Sequence, residues 1–508
     1  MVRMSASTPA MPSGAWVQRL AQQLHARCIE THISWVLLTE HHALKIKKPV
    51  TLPFLDYGSL AARERFCQDE LRLNQRLAPS LYLDVVAITG TADAPRLGGD
   101  GPLLDHALRM RRFADGALFS ERLAAGRLQA ADVDRLAQRL GGFHLRAPVA
   151  PAGSPWGAAQ RVAQDLRDVV QRLAAARPDV DPAPWQAWVQ TQVDALSATW
   201  SARQRDGFVR EGHGDLHLAN LVCLDGDGDE GEVTAFDAIE FDPALRWIDI
   251  VADIAFAVMD LQARGRADLA WRLLDGWLAV TGDHAGLAVL RPYLVYRALV
   301  RAMVGGLRPG DAAADYVGAA AHWRDGADAR LLITEGLPGS GKSRLALALL
   351  QACGAVRLRS DVERKRLHGL GALQSTASPV GAGAYDAEAT QRTYARLLGA
   401  AEVALRAGWR VVVDAAFLRA GQRAAFEQLA AGLRVPFHVL CCDAPDTVLL
   451  QRLQQRADAG ADASEADARV LAWLRTQRQP LAPHEQAHAL HAGPGADVHA
   501  LARAWLRG

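Results

Sequence analysis

Residues 336–343 read Gly336-Leu-Pro-Gly339-Ser-Gly341-Lys342-Ser343 and match GxxxxGK[ST] at every fixed position. The apolar run Leu331-Leu-Ile-Thr334 precedes the motif, and a pattern of helical period follows it. The chemistry of phosphate binding needs these residue types. Gly336, Gly339 and Gly341 let backbone N–H groups turn inward around a β-phosphate, and the N-terminus of the new helix adds partial positive charge. Lys342 is placed to reach the β- and γ-phosphates, and Ser343 to ligate Mg²⁺. A Gly-rich turn arising by chance has no reason to join a strand to a helix. The stretch therefore predicts an α/β P-loop NTPase domain with ATP and Mg²⁺ as its cofactors.

Outward from the motif, strands are expected at 355–359, 410–414 and 437–442, with helical segments between them. Strands alternating with helices imply a parallel sheet. The polar run Arg324-Asp-Gly-Ala-Asp-Ala-Arg330 comes just before the first strand, so this domain is expected to span 326–508. Asp414 ends the apolar strand Arg410-Val-Val-Val-Asp414, where a carboxylate can hold the water shell of Mg²⁺. Asp361 follows the second strand, where a carboxylate either accepts a proton from an incoming hydroxyl or caps a helix. Arg452 and Arg456 are four residues apart, hence on one helix face. Over about 328–480 the chain resembles the zeta-toxin and gluconate-kinase-like P-loop kinases. That resemblance implies transfer of the γ-phosphate to a small-molecule hydroxyl, with Arg452 and Arg456 as a lid over the phosphates; the bland alternative is a solvated charged face. Tyr385, Arg392 and Tyr394 either line an acceptor pocket or pack.

A second cluster lies upstream. It reads His213-Gly-Asp215-Leu-His217-Leu-Ala-Asn220, followed by Ala235-Phe-Asp237. Asp215 and Asn220 have the spacing of the catalytic loop HRDxxxxN. Short apolar runs at 221–224 and 232–236 flank a turn-rich, acidic segment, which predicts a hairpin that returns Asp237 to the side of Asn220. Asn220 and Asp237 would then be oxygen ligands for Mg²⁺, with Asp215 left to orient and deprotonate an acceptor hydroxyl. The acidic turn is no EF-hand loop, because its Gly is at the seventh position and Phe236 stands where the bidentate Glu belongs. His213 and His217 lack the HExxH frame of a zinc pair.

The intact HGDLHxxN loop, with Asp237 after it, resembles the aminoglycoside phosphotransferase family, which shares the protein-kinase fold. The resemblance implies an α+β kinase-like domain over 20–325, behind a flexible N-terminus at 1–19. It also implies a phosphate-binding lysine on the strand Ala43-Leu-Lys45-Ile-Lys47 and an ion-pair partner from the next helix. Lys45 and Lys47 share one strand face. Lys45 is favoured, with Glu70 preferred to Glu64 as its partner, against a solvated edge strand as the alternative. Asp249 and Asp253 are expected to buttress the catalytic loop. No Gly-rich loop is recognisable in 31–44. As a whole, the chain resembles bacterial proteins described as bifunctional aminoglycoside phosphotransferase/ATP-binding proteins.

The composition suits such an enzyme. Half of the 508 residues are hydrophobic, 22% are charged and the net charge is +1, a balance that points to neither nucleic acid nor an anionic membrane. The six cysteines are scattered, without CxxC pairs, which fits a reducing compartment. The N-terminus has no apolar core of a signal peptide, and no apolar run nears the ~18 residues that would span a bilayer. A cytoplasmic phosphotransferase with two ATP sites and small-molecule acceptors is the expectation. The alternative is one catalytic kinase domain gated by the other acting as a nucleotide sensor.

Overall fold

The structure, a computed structural model, describes residues 14–52, 55–226, 228–305, 314–372, 374–376, 383–459 and 464–507. Residues 1–13 of the expected flexible terminus lie outside them, whereas 15–19 open the helix Ala15–Gln23. The chain gathers into two compact units, one of 1–128 with 211–248, the other of 129–210 with 249–508. The expected boundary near 326 thus falls inside the second unit.

The first unit is built on a six-stranded sheet of described residues, in the order Arg27–Glu30, Ser34–Leu38, His42–Lys47, Leu103–Arg111, Tyr82–Gly90, Pro95–Leu97. Its pairings are antiparallel. Alternation along His42–Lys47 sends Leu44 and Ile46 into a core with Trp35, Leu37, Val17 and Leu20, and leaves Lys45 and Lys47 on the other face. The helix Leu60–Gln75 starts at Ser59, whose side chain accepts from the N–H of Ala62 at 3.1 Å. The expected hairpin is present as Leu221–Gly226 and Gly228–Ala235, with Leu221 opposite Ala235. The side chains of its acidic turn, 225–230, lie outside the described residues.

The second unit has a helical part and a sheet part. The helical part comprises Ala130–Arg146, Ala159–Ala176, Ala183–Arg205, Ile250–Ala263, Ala267–Thr281, Leu287–Gly305 and Tyr316–Asp325. Buried polar pairs bind it: His144 Nε2 meets Asp253 at 3.1 Å, and its Nδ1 accepts from Trp277 Nε1 at 2.9 Å. Asp249 caps Ile250–Ala263 through the N–H of Val251 and pairs with Arg203, which also holds Asp283. Asp249 and Asp253 therefore brace helices.

The sheet part is a five-stranded sheet of described residues in the order Val356–Arg359, Arg410–Asp414, Arg330–Glu335, Phe437–Cys442, Ala489–Ala492, with every pairing parallel. The apolar runs that predicted these strands are buried on both faces, as a parallel sheet covered by helices requires. Trp271, Trp323 and Trp409 pack edge to face or tilted, with centroids 5.7–6.1 Å apart, where the two parts of this unit join. There Trp409 Nε1 donates to the carbonyl of Leu287 at 2.9 Å, and the Arg291 guanidinium lies 4.1 Å over its ring.

Candidate functional site

Ligands of open parallel sheets bind at the carboxyl ends of the strands. Glu335, Arg359 and Asp414 each end a strand at that edge, with Arg359 in register opposite Asp414. The loop after Glu335 turns through Gly336 (φ 149°), Gly339 (φ 82°) and Gly341 (φ 99°) into the helix Lys342–Cys353. Gly336 has no alternative: a Cβ there would stand 2.3 Å from the carbonyl oxygen of Cys442. Lys342 Nζ folds back to donate to the Leu337 carbonyl at 2.9 Å. Burial holds its pKa below the usual lysine range, against the pull of Asp414. Ser343 Oγ donates to Asp414 Oδ1 at 3.1 Å, so the two oxygens expected to serve Mg²⁺ are already adjacent. Hard oxygen donors of this kind suit Mg²⁺.

Gly339, Gly341, Lys342, Ser343, Arg359 and Asp414 line a cavity of about 1010 Å³ together with Asp361, Arg452 and Arg456, whereas Gly336 is not among its lining residues. Asp361 lies inside the first turn of the helix Ser360–Leu367, whose cap residue is Arg359, so the capping alternative fails. Arg452 Nη1 donates to the Gly339 carbonyl at 3.0 Å, over the loop itself. Tyr385 and Tyr394 line the cavity too, the first beneath the Arg364 guanidinium and the second accepting from the Phe417 N–H at 3.1 Å. Arg392 instead pairs with Glu388 on the exposed surface. Sequence reasoning missed Arg478, which grips the buried Glu335 with two bonds of 2.8 and 3.0 Å just before the loop begins. It also missed Arg357, which donates to the Ser343 carbonyl at 3.2 Å.

In the first unit, Lys45 Nζ donates to Glu70 Oε1 at 2.7 Å and to Asp237 Oδ1 at 2.5 Å. Burial opposes the Lys45 ammonium, but Asp237 and Glu70 outweigh it and hold the pKa well above the usual lysine range. Burial likewise pushes Asp237 up, and Lys45 more than offsets it, leaving the carboxyl below its ordinary value. Lys47 Nζ takes the other oxygen of Glu70 at 2.7 Å and also binds Glu240, which Tyr57 OH reaches as well. The result is a chain of alternating charge: Asp237, Lys45, Glu70, Lys47, Glu240. Lys47 is 1% exposed and Lys45 14%, so Lys45 is the lysine with access to a ligand. Glu64 stands apart, 3.7 Å from His106. Neither Glu240 nor Tyr57 carried a sequence signal beyond a carboxylate three residues after Asp237.

Asp237 adopts a left-handed backbone (φ 64°), a conformation that non-glycine residues keep only when their surroundings impose it. Its N–H donates to Tyr82 OH at 3.0 Å, and the preceding Phe236 N–H donates to the Asn220 carbonyl at 3.0 Å. The hairpin therefore brings residues 236 and 237 back to Asn220. The Asn220 side-chain amide donates to the carbonyl of Asp215 at 2.9 Å and to its carboxylate at 3.2 Å. This aims the amide oxygen away from Asp215. His213 is buried and bonds the Phe236 carbonyl at 2.9 Å, and His217 stands 3.4 Å from the Asp215 carboxylate. Among the described residues, no group of three His, Cys, Asp or Glu is poised to hold a metal. No helix of the described residues is long and apolar enough to cross a membrane.

The family described as an AAA domain matches residues 331–481. This segment is a P-loop domain. Among solved structures, a gluconokinase from Sinorhizobium meliloti is 18% identical, with 35% of this chain and 90% of that one covered and a TM-score of 0.24. A Plasmodium vivax ethanolamine kinase is 11% identical, with 60% and 82% covered and a TM-score of 0.34. Among curated proteins, the uncharacterized protein Rv2004c of Mycobacterium tuberculosis is 30% identical over 455 residues, which cover 87% of this chain and 89% of that protein. The chain therefore belongs to the same family as that mycobacterial protein.

Proposed function

We propose that this protein is an ATP-dependent phosphotransferase with two nucleotide sites, one assigned to 20–325 and one to 326–508, each passing the γ-phosphate to a small-molecule hydroxyl. One observation carries the reading: a phosphate-binding cation, an adjacent pair of Mg²⁺-type oxygens and a carboxylate base, Lys342, Ser343 with Asp414, and Asp361, all line a single cavity. In that cavity the inward N–H groups of 336–343 and Lys342 hold the phosphates. Arg452 and Arg456 add positive charge where it develops in transfer. Asp361 accepts the proton of the acceptor hydroxyl. Mg²⁺, when bound, would be held by Ser343 and Asp414 and would neutralise charge on the phosphates.

The set in the first unit supports a second, independent site of the same chemistry. Lys45, steadied by Glu70, is the phosphate cation. Asn220 and Asp237 are the oxygens suited to Mg²⁺, and Asp215 is the base. The test is ATP turnover by the full chain against sugars, amino alcohols, aminoglycosides and nucleosides, with Asp215→Ala and Lys342→Ala alongside. Each substitution should remove a different part of the activity. If neither changes ATP turnover in folded protein, the proposal is wrong. If either one alone removes all of it, the two sites are not independent.

A further inference from the structure

The second unit contributes to its own P-loop site from a distant stretch of chain. Arg357, on the strand Val356–Arg359, is almost wholly buried. One side of its guanidinium is gripped by Asp275, with Nε to Oδ1 at 3.1 Å and Nη2 to Oδ2 at 2.6 Å. The remaining nitrogen, Nη1, donates to the Ser343 carbonyl at 3.2 Å and lies 3.9 Å from Asp414 Oδ2. Asp275 sits on the helix Ala267–Thr281, and its side chain is 10% exposed. A buried cation thus stands against both residues expected to hold Mg²⁺. A carboxylate from another element fixes its plane and cancels its charge.

We propose that Asp275 is a positioning residue of the P-loop site, which holds and neutralises Arg357 so that Ser343 and Asp414 remain available to Mg²⁺. The proposal rests on the reading of that site as one for a magnesium–nucleotide complex. Without the Asp275 charge, Arg357 is a buried cation with Asp414 Oδ2 only 3.9 Å away, and it competes with the ion for that carboxylate. A guanidinium held from one side by two parallel bonds keeps its outer nitrogen in place, which a single contact would not do. The bond to the Ser343 carbonyl fixes the first turn of the helix that carries Lys342 and Ser343.

The experiment measures binding of a fluorescent ATP analogue to the full chain as Mg²⁺ is titrated, and follows the part of the signal that Lys342→Ala removes. Asp275→Asn should raise the Mg²⁺ concentration for half-saturation about tenfold, the range seen when groups supporting metal ligands are altered, while affinity in chelator stays within about twofold of the unaltered chain. Adding Arg357→Met should bring the Mg²⁺ requirement back to within about threefold of the unaltered chain, because the cation that Asp275 neutralised is gone and Arg359, 3.8 Å from Asp414 Oδ2, stands as it does in the unaltered chain. An unchanged Mg²⁺ requirement in Asp275→Asn overturns the proposal. So does an equal loss of affinity with and without Mg²⁺, or a double variant worse than the single one; the last two outcomes mark a purely structural ion pair. If the unaltered chain has no Lys342-dependent binding at all, it is the nucleotide-site reading that fails.

Discussion

The P-loop site draws five of its residues, Gly336, Gly339, Gly341, Lys342 and Ser343, from one run of eight. The site around Lys45 draws each part from a different place: a strand at 42–47, a helix at 60–75, a loop at 213–220 and Asp237, two residues past a hairpin. The first is shaped by the path of the backbone, which turns through three glycines at positive φ. The second is held by a ladder of ion pairs that is buried except at its Asp237 end. Substitutions in the first should therefore cost function and spare the fold, whereas in the second they should cost both.

The largest expected effects are on turnover. Lys342→Ala and Asp215→Ala should each lower the matching activity by about 10²–10⁴-fold, the usual weight of a charge-stabilising or acid–base group. Lys342→Ala should leave thermal unfolding nearly unchanged, whereas Asp215→Ala should also lower it, because the Asn220 amide loses its carboxylate partner. A large drop in melting temperature for Lys342→Ala would break the contrast. Glu70→Ala comes next. It leaves Lys45 and Lys47 buried beside fewer carboxylates, so a loss of about 3–5 kcal/mol in urea unfolding is expected, as for one partner removed from a buried pair. A loss below about 1 kcal/mol, the worth of an exposed pair, would show that the ladder adds little.

Gly214→Ala should cost about 1–3 kcal/mol, since φ is 88° and a Cβ would stand 2.6 Å from the Leu245 carbonyl oxygen. Urea unfolding of Gly399→Ala, at a mid-helix glycine with open space around it, should show a slight gain. Equal effects at the two positions would remove the case for a constrained loop before Asp215.

The smallest effect concerns Glu363, two residues beyond Asp361. Burial raises its carboxyl, but His284, Arg366 and Arg396 hold it down to about 2, from an ordinary 4.5. The folded pKa is the lower one, so its stabilisation is complete above pH 4.5 and fades as pH falls toward 2. The stability gap between the unaltered chain and Glu363→Gln should narrow over that interval. A gap independent of pH would mean that the carboxylate charge is irrelevant there.

Most of the P-loop site was legible in the sequence because its determinants are local. A motif, a strand before it and a helix after it are all set within a few residues. Asp215, Asn220 and Asp237 were legible for a related reason, since one hairpin is enough to reunite them. The ladder was half legible. Alternation placed Lys45 and Lys47 on one face but could not choose between them, and the structure engages both because Glu70 has two oxygens to offer. Tyr57 with Glu240, and Asp275 with Arg357, are joined across 183 and 82 residues of chain. No local pattern records such partnerships. The boundary expected at 326 followed a real change in composition, yet the tryptophans on either side of it are packed together.

That aromatic junction bears on how the chain can be divided. Trp409 is 3% exposed, and its neighbours Trp271, Trp323, Leu287 and Arg291 all precede residue 326. A fragment beginning there would carry the complete nucleotide motif and expose an indole face that has lost its cover. Such a fragment should self-associate or be captured by hydrophobic resins.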